Sequence, residues 1–142
     1  RLNANTKDRH QPMEFLATIH DIFFRAILMF SGVLGVWAIV MAARDRSISG
    51  NFWGALVTLT GLSLVTLVAG TILALQGFTP PAQRLTTYFI YMAWIVIIIP
   101  GMFTQLRGRD DSAAALAFAM LAIFNLFVGL SMQGRGLVGP WA

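Results

Sequence analysis

The chain has no cysteine among its 142 residues. Disulfides, thiolate zinc sites, iron–sulfur ligation and cysteine nucleophiles are therefore excluded. Charge is also scarce: Asp, Glu, Lys and Arg make up 11% of the residues, against 57% hydrophobic. Soluble domains carry roughly 25% charged residues, and a water-facing surface needs about 25–35%. An ordinary soluble globular domain is excluded on that count. Disorder is excluded too, because it requires low hydrophobicity with high net charge. The solvent for most of this chain is lipid.

Chemistry-bearing patterns are missing as well. The sequence contains no metal-ligand cluster, no nucleophile elbow and no phosphate loop, so it offers no catalytic and no metal-binding residues. The net charge of +4 comes from ten Lys and Arg against six Asp and Glu. These basic residues stand singly at the ends of apolar runs, as loop charges and headgroup anchors do. Nucleic acid is not an expected partner.

What is present is four long runs without charge: Ala26–Ala43, Phe52–Leu75, Leu85–Leu106 and Ser112–Met132. Each reaches the length of about 18 residues that marks a membrane-spanning helix. The polar connectors between them are short, which forces neighbouring helices to run antiparallel. The expected fold is an all-α integral membrane protein, with four transmembrane helices in an up-down-up-down bundle. Residues 1–12 read as a polar N-terminal leader, 13–132 as the transmembrane domain and 133–142 as a Gly/Pro-containing tail, expected to extend as an arm. Ser47 or Ser49 is placed to cap the second helix, and Asp110, Asp111 or Ser112 the fourth. Gly77 followed by Pro80 and Pro81 stops the second. Pro100 removes a backbone hydrogen bond late in the third and should kink it. The connectors after the first and third runs hold Arg44, Arg46, Arg107 and Arg109. Counted without the leader, they place both termini outside, in a bacterial cytoplasmic (inner) membrane.

The one dense group of ionisable residues opens the first helix: Glu14, Thr18, His20, Asp21 and Arg25. At 100° per residue Glu14, Thr18, Asp21 and Arg25 share a face, which continues through Met29, Gly32 and Val36. Phe15, Phe23, Phe24 and Phe30 form an aromatic arc away from it. The polar-then-glycine face is expected to turn inward or toward a protein partner. Arg25 to Arg44 spans about 28 Å of helix, nearly the whole hydrocarbon core of about 30 Å. The first helix is therefore expected to extend beyond the membrane at its N-terminal end, with Glu14, Asp21 and Arg25 contacting headgroups or a partner. His20 is the candidate cofactor ligand, for haem or a pigment.

Small residues mark faces where helices can approach: Gly50 with Gly54, Ser31 with Gly35, and Ser63, Thr66 and Gly70 along the second helix. Asn125 is the lone strongly polar group of the fourth helix and is expected to meet a partner, another helix or a bound polar group. Trp37, Trp53, Tyr88 and Trp141 read as interfacial anchors. Helices two to four hold no ionisable residue, which argues against an ion path. The expected function is a small non-catalytic structural or assembly subunit of a larger membrane complex of the energy-transducing kind, with the bilayer and other membrane subunits as partners. The alternatives are a haem- or pigment-binding protein using His20, and a small-solute transporter.

Overall fold

The computed structural model describes residues 4–142, with side chains from Gln11 onward. Residues 1–3 of the expected leader, and the side chains of the leader up to His10, lie outside the described residues. The described chain is all-helical: α1 (Ala4–Ala43), α2 (Gly50–Leu75), α3 (Leu85–Gln105) and α4 (Ser112–Gly134). All four contain stretches long and apolar enough to cross a membrane. This is an integral membrane protein. Apart from the start of α1, the helix ends lie within two residues of the apolar runs, because the charged connectors set them.

Local chemistry explains the ends. Ser49 caps α2, its hydroxyl accepting a hydrogen bond from Phe52 N, and so satisfies one of the orphan donors of the first turn. At the other end of α2, Gly77 N donates to Ala74 O and Phe78 N to Leu73 O. This is the Schellman closure, and it needs the left-handed backbone that Gly77 supplies at φ 87°. Asp111 caps α4 by accepting from Ala114 N at 3.0 Å, while Arg109 donates to its other oxygen at 2.5 Å. Those two donors, Arg109 foremost, hold the Asp111 carboxyl below its ordinary pKa, and the same pair raises that of Arg109.

α1 has 40 residues, about 60 Å of helix against a hydrocarbon core of about 30 Å. Its backbone is helical from Ala4 and passes through Pro12. Ala17 is the first buried residue along it. Before Ala17, Leu16 is partly buried against the core, and Gln11, Pro12, Glu14 and Phe15 are exposed.

α1 packs against α2 and α4, and α3 against the same two, so α1 and α3 lie diagonally across the bundle. The connectors meet in pairs. Ile48 N donates to Asp110 O at 2.7 Å, joining the α1–α2 and α3–α4 connectors at one end. At the other end Thr79 and Ala142 exchange two backbone hydrogen bonds, and Ala82 N donates to Gly136 O. The tail is thus no extended arm. It folds back on the α2–α3 connector and buries Leu137, Val138 and Trp141.

Close helix approach occurs at single glycines. A Cβ on Gly35 would stand 2.9 Å from Ile123 Cγ1, and one on Gly129 would collide with Leu28. Gly35 and Gly129 thereby admit α4 to α1, with Ala115, Ala119 and Ala122 also buried. Gly50 and Gly54 have no atom within 4 Å of the place a Cβ would take, so that GxxxG pair makes no contact within the chain. The hydroxyls of Ser63 and Thr66 donate to the carbonyls of Leu59 and Leu62 in their own helix. They do not bridge to a neighbour, because the i−4 carbonyl is always within reach.

Candidate functional site

The polar face of α1 looks outward. Glu14 and Thr18 are exposed, and Thr18 donates to the Glu14 carbonyl. Arg25 pairs with Asp21 at 3.2 Å, with the Arg25 side chain 65% exposed. Further along, Met29 and Val36 are also exposed, while Phe24 from the aromatic arc is fully buried. Of the two expected directions for the polar-then-glycine face, inward or toward a partner, the inward one is corrected: Phe24 takes the inward position against Gly129. Gly32, Val33, Val36 and Trp37 line a shallow groove on the side of the stripe.

His20 departs from the stripe and enters the bundle. It is fully buried, and its Nε2 lies 2.5 Å from the Tyr88 hydroxyl, a hydrogen bond whose donor depends on the histidine tautomer. Tyr88 is fully buried and Trp141 nearly so. The Trp141 ring is tilted against His20 at 4.9 Å and stands edge-on to Tyr88 at 4.8 Å. Gly70 of α2 completes the enclosure, since a Cβ there would collide with the Tyr88 hydroxyl. Three helices and the tail therefore converge on the His20–Tyr88 pair. His20 Nδ1 and Trp141 Nε1 have no hydrogen-bond partner among the described residues. A haem or pigment metal bound through Nε2 would have to displace the tyrosine hydroxyl.

Tyr88 and Trp141, assigned to the interface from their positions near helix ends, are core residues of this cluster. The signal for them in the sequence was weak: a polar-tipped aromatic near a helix end fits an anchor and a buried hydrogen-bonding ring equally well. Of the other anchors, Trp53 stands edge-on to Phe103 and Phe118, and Trp37 edge-on to Phe52.

Asn125 is buried, not on a surface that a partner or a headgroup could reach. Neither atom of its amide has a partner among the described residues, and nor does the hydroxyl of Ser31. Gly32 and Gly35 of α1 face Leu126 and Ile123 of α4, which sets Ser31 and Asn125 at the same depth. No group of three or more His, Asp or Glu that could hold a metal occurs among the described residues.

A cleft of about 740 Å³ opens between α2 and α3, walled by Trp53, Leu56, Gly61, Pro100 and Phe103, with Phe118 of α4 among its lining residues.

Fold and site together define a helical integral membrane protein in which His20 and Tyr88 bind each other, Ser63 and Thr66 bind their own helix, and Ser31 and Asn125 have no partner among the described residues. Comparison with protein-family models, curated proteins and solved structures finds no match.

Proposed function

We propose that this protein is a small non-catalytic subunit of a larger membrane complex, and that it docks through the outward face of α1. The observation that supports this reading is that face itself. Arg25, exposed and paired with the half-buried Asp21, and the exposed apolar residues Met29 and Val36 follow one another along a single stripe. The Arg25 side chain is 65% exposed and that of Asp21 19%, so the chain's own helices leave the guanidinium end of the pair open to a partner. A partner helix with a polar end at the depth of Asp21 would match both parts of the stripe.

A photo-crosslinking residue placed at Met29 or Val36 in native membranes is expected to give one discrete protein adduct, lost when Arg25→Ala and Asp21→Ala are combined. The same probe at Ile90, exposed on α3, is expected to give lipid adducts only. Lipid adducts alone at all three positions, from a protein that purifies as a bare monomer, would refute the docking role.

The membrane we assign is the bacterial cytoplasmic one, with the Arg44–Arg46 and Arg107–Arg109 connectors inside and both ends of the chain outside. The absence of native cysteine makes the test clean. In whole cells a cysteine at exposed Gln83 should react with a membrane-impermeant maleimide, and one at exposed Ser47 should not. The reverse pattern inverts the assignment.

A further inference from the structure

The geometry points to a lipid site in the α2–α3 cleft: one acyl chain of an anionic glycerophospholipid lies in the cleft, with its phosphate at Arg107.

The cleft exists because small residues and an imino acid stand where side chains would otherwise close it. A Cβ on Gly61 would meet no atom within 4 Å, Pro100 offers only its ring, and Gly108 closes one end. Its inner walls are core residues, with Leu56, Ile99 and Phe118 all buried. A volume of about 740 Å³ falls within the range of about 300–1,000 Å³ typical of small-molecule sites.

Chemistry and length select the occupant. Polar groups are few: the hydroxyls of Thr60 and Thr104 already donate to the carbonyls of Leu56 and Pro100, and the Trp53 indole N–H is the one side-chain donor left on the walls. A hydrocarbon fits such walls and a polar group does not. The α2 wall runs from Trp53 to Gly61, just over two turns or about 12 Å. That is less than half of a hydrocarbon core of about 30 Å. A partner helix would need a groove across the whole core, whereas an acyl chain occupies only one leaflet.

Charge selects the headgroup. The cleft ends at Gly108, between Arg107 and Arg109 and at the end where the two connectors join. Arg109 is engaged by Asp111. Arg107 is exposed, and no acid lies within ion-pair distance of it among the described residues. A guanidinium beside the mouth of an apolar slot complements a phosphate with a hydrocarbon tail.

Trp53 lines the cleft and reports on it directly. The full chain is placed in phosphatidylcholine nanodiscs doped with either phosphatidylglycerol or phosphatidylcholine brominated on the acyl chain. The quenching that disappears in Trp53→Phe is the signal. Brominated phosphatidylglycerol is expected to quench with about fivefold higher apparent affinity, the preference that one basic residue near the surface confers. Arg107→Gln should equalise the two lipids while leaving quenching in place, and Gly61→Phe should fill the cleft and suppress quenching by both. Arg107 is an exposed connector residue, so the charge arm stands even if Gly61→Phe does not fold. Equal quenching by the two lipids in the native sequence overturns the anionic site. Quenching that falls as protein is concentrated, whatever the lipid, would overturn it in favour of a second protein copy in the cleft.

Discussion

Gly70→Ala is expected to destabilise the protein by about 3 kcal/mol, although alanine is the better helix former. The new methyl group would collide with the Tyr88 hydroxyl and approach ring atoms Cε1 and Cζ at 3.0 Å. Tyr88 has nowhere to go. Its ring is enclosed by Phe89 at 5.2 Å and Trp141 at 4.8 Å, with His20 at its hydroxyl. Overpacking of this kind costs about 1–3 kcal/mol. Pushing the hydroxyl off His20 Nε2 adds about 1–3 kcal/mol for a buried polar atom left without a partner. The helix propensity of alanine returns at most about 1 kcal/mol. Tyr88→Phe alone should cost about 1–3 kcal/mol, for the unpaired imidazole. Combined with Gly70→Ala it should cost clearly less than the sum, because both changes break the same hydrogen bond and the first also removes the clashing oxygen. Reversible unfolding by SDS titration from mild detergent micelles measures all three. A Gly70→Ala protein as stable as the parent, or strict additivity with Tyr88→Phe, would show that the enclosure around Tyr88 is loose.

The same cluster marks the boundary of what the sequence makes legible. Span ends can be read because a charge at a helix terminus has one physical meaning in lipid, and Arg44, Arg84, Arg107 and Asp111 each stand at one. The caps follow from residue type and position, although residue type alone does not distinguish Ser49 from Ser47. Directions are harder. Periodicity puts Glu14, Asp21, Arg25 and Met29 on one face, but the same arithmetic cannot say which face α4 covers. That is decided by Gly129, which accepts Phe24 and Leu28. The GxxxG rule has the same limit. Of the positions that small-residue spacing marks, Gly35 and Gly70 are close approaches within this chain, as is Gly129 of the fourth helix, whereas Gly50 and Gly54 are not. His20 meets Tyr88 across 68 residues of sequence and across the bundle diagonal, with no repeat or spacing to announce the pair. The tail misleads for a related reason: its glycines and proline suggest an arm, while Leu137, Val138 and Trp141 supply enough apolar surface to bind it to the end of the bundle.

That tail carries the other large effect. Trp141→Ala is expected to cost about 3–5 kcal/mol, as truncation of a buried large aromatic does, and to open His20 to solvent. The tail lies at the end of the bundle, beside a connector that contains Pro80 and Pro81, so the alternative environment for a released segment is water and not hydrocarbon. Burial by the hydrophobic effect therefore applies to it in full. Ending the chain after Gly136 should do at least as much harm, since it also removes Leu137 and Val138 and the two Thr79–Ala142 hydrogen bonds. The chemical readout is carbethoxylation by diethyl pyrocarbonate, located by mass spectrometry so that His20 is scored separately from His10. His20 should be unreactive in the parent and reactive in Trp141→Ala and in the truncated chain. Trp141→Phe separates packing from hydrogen bonding. The indole Nε1 has no partner among the described residues, so phenylalanine keeps most of the ring contact with His20 and Tyr88 and sacrifices no bond. Its cost should stay below about 1.5 kcal/mol, in the range of tolerated apolar exchanges, with His20 still protected. If Trp141→Phe were as damaging as Trp141→Ala, the indole N–H would have to be holding a bound water or polar group at Nε1, and the tail would be anchored by a polar contact as well as by its rings.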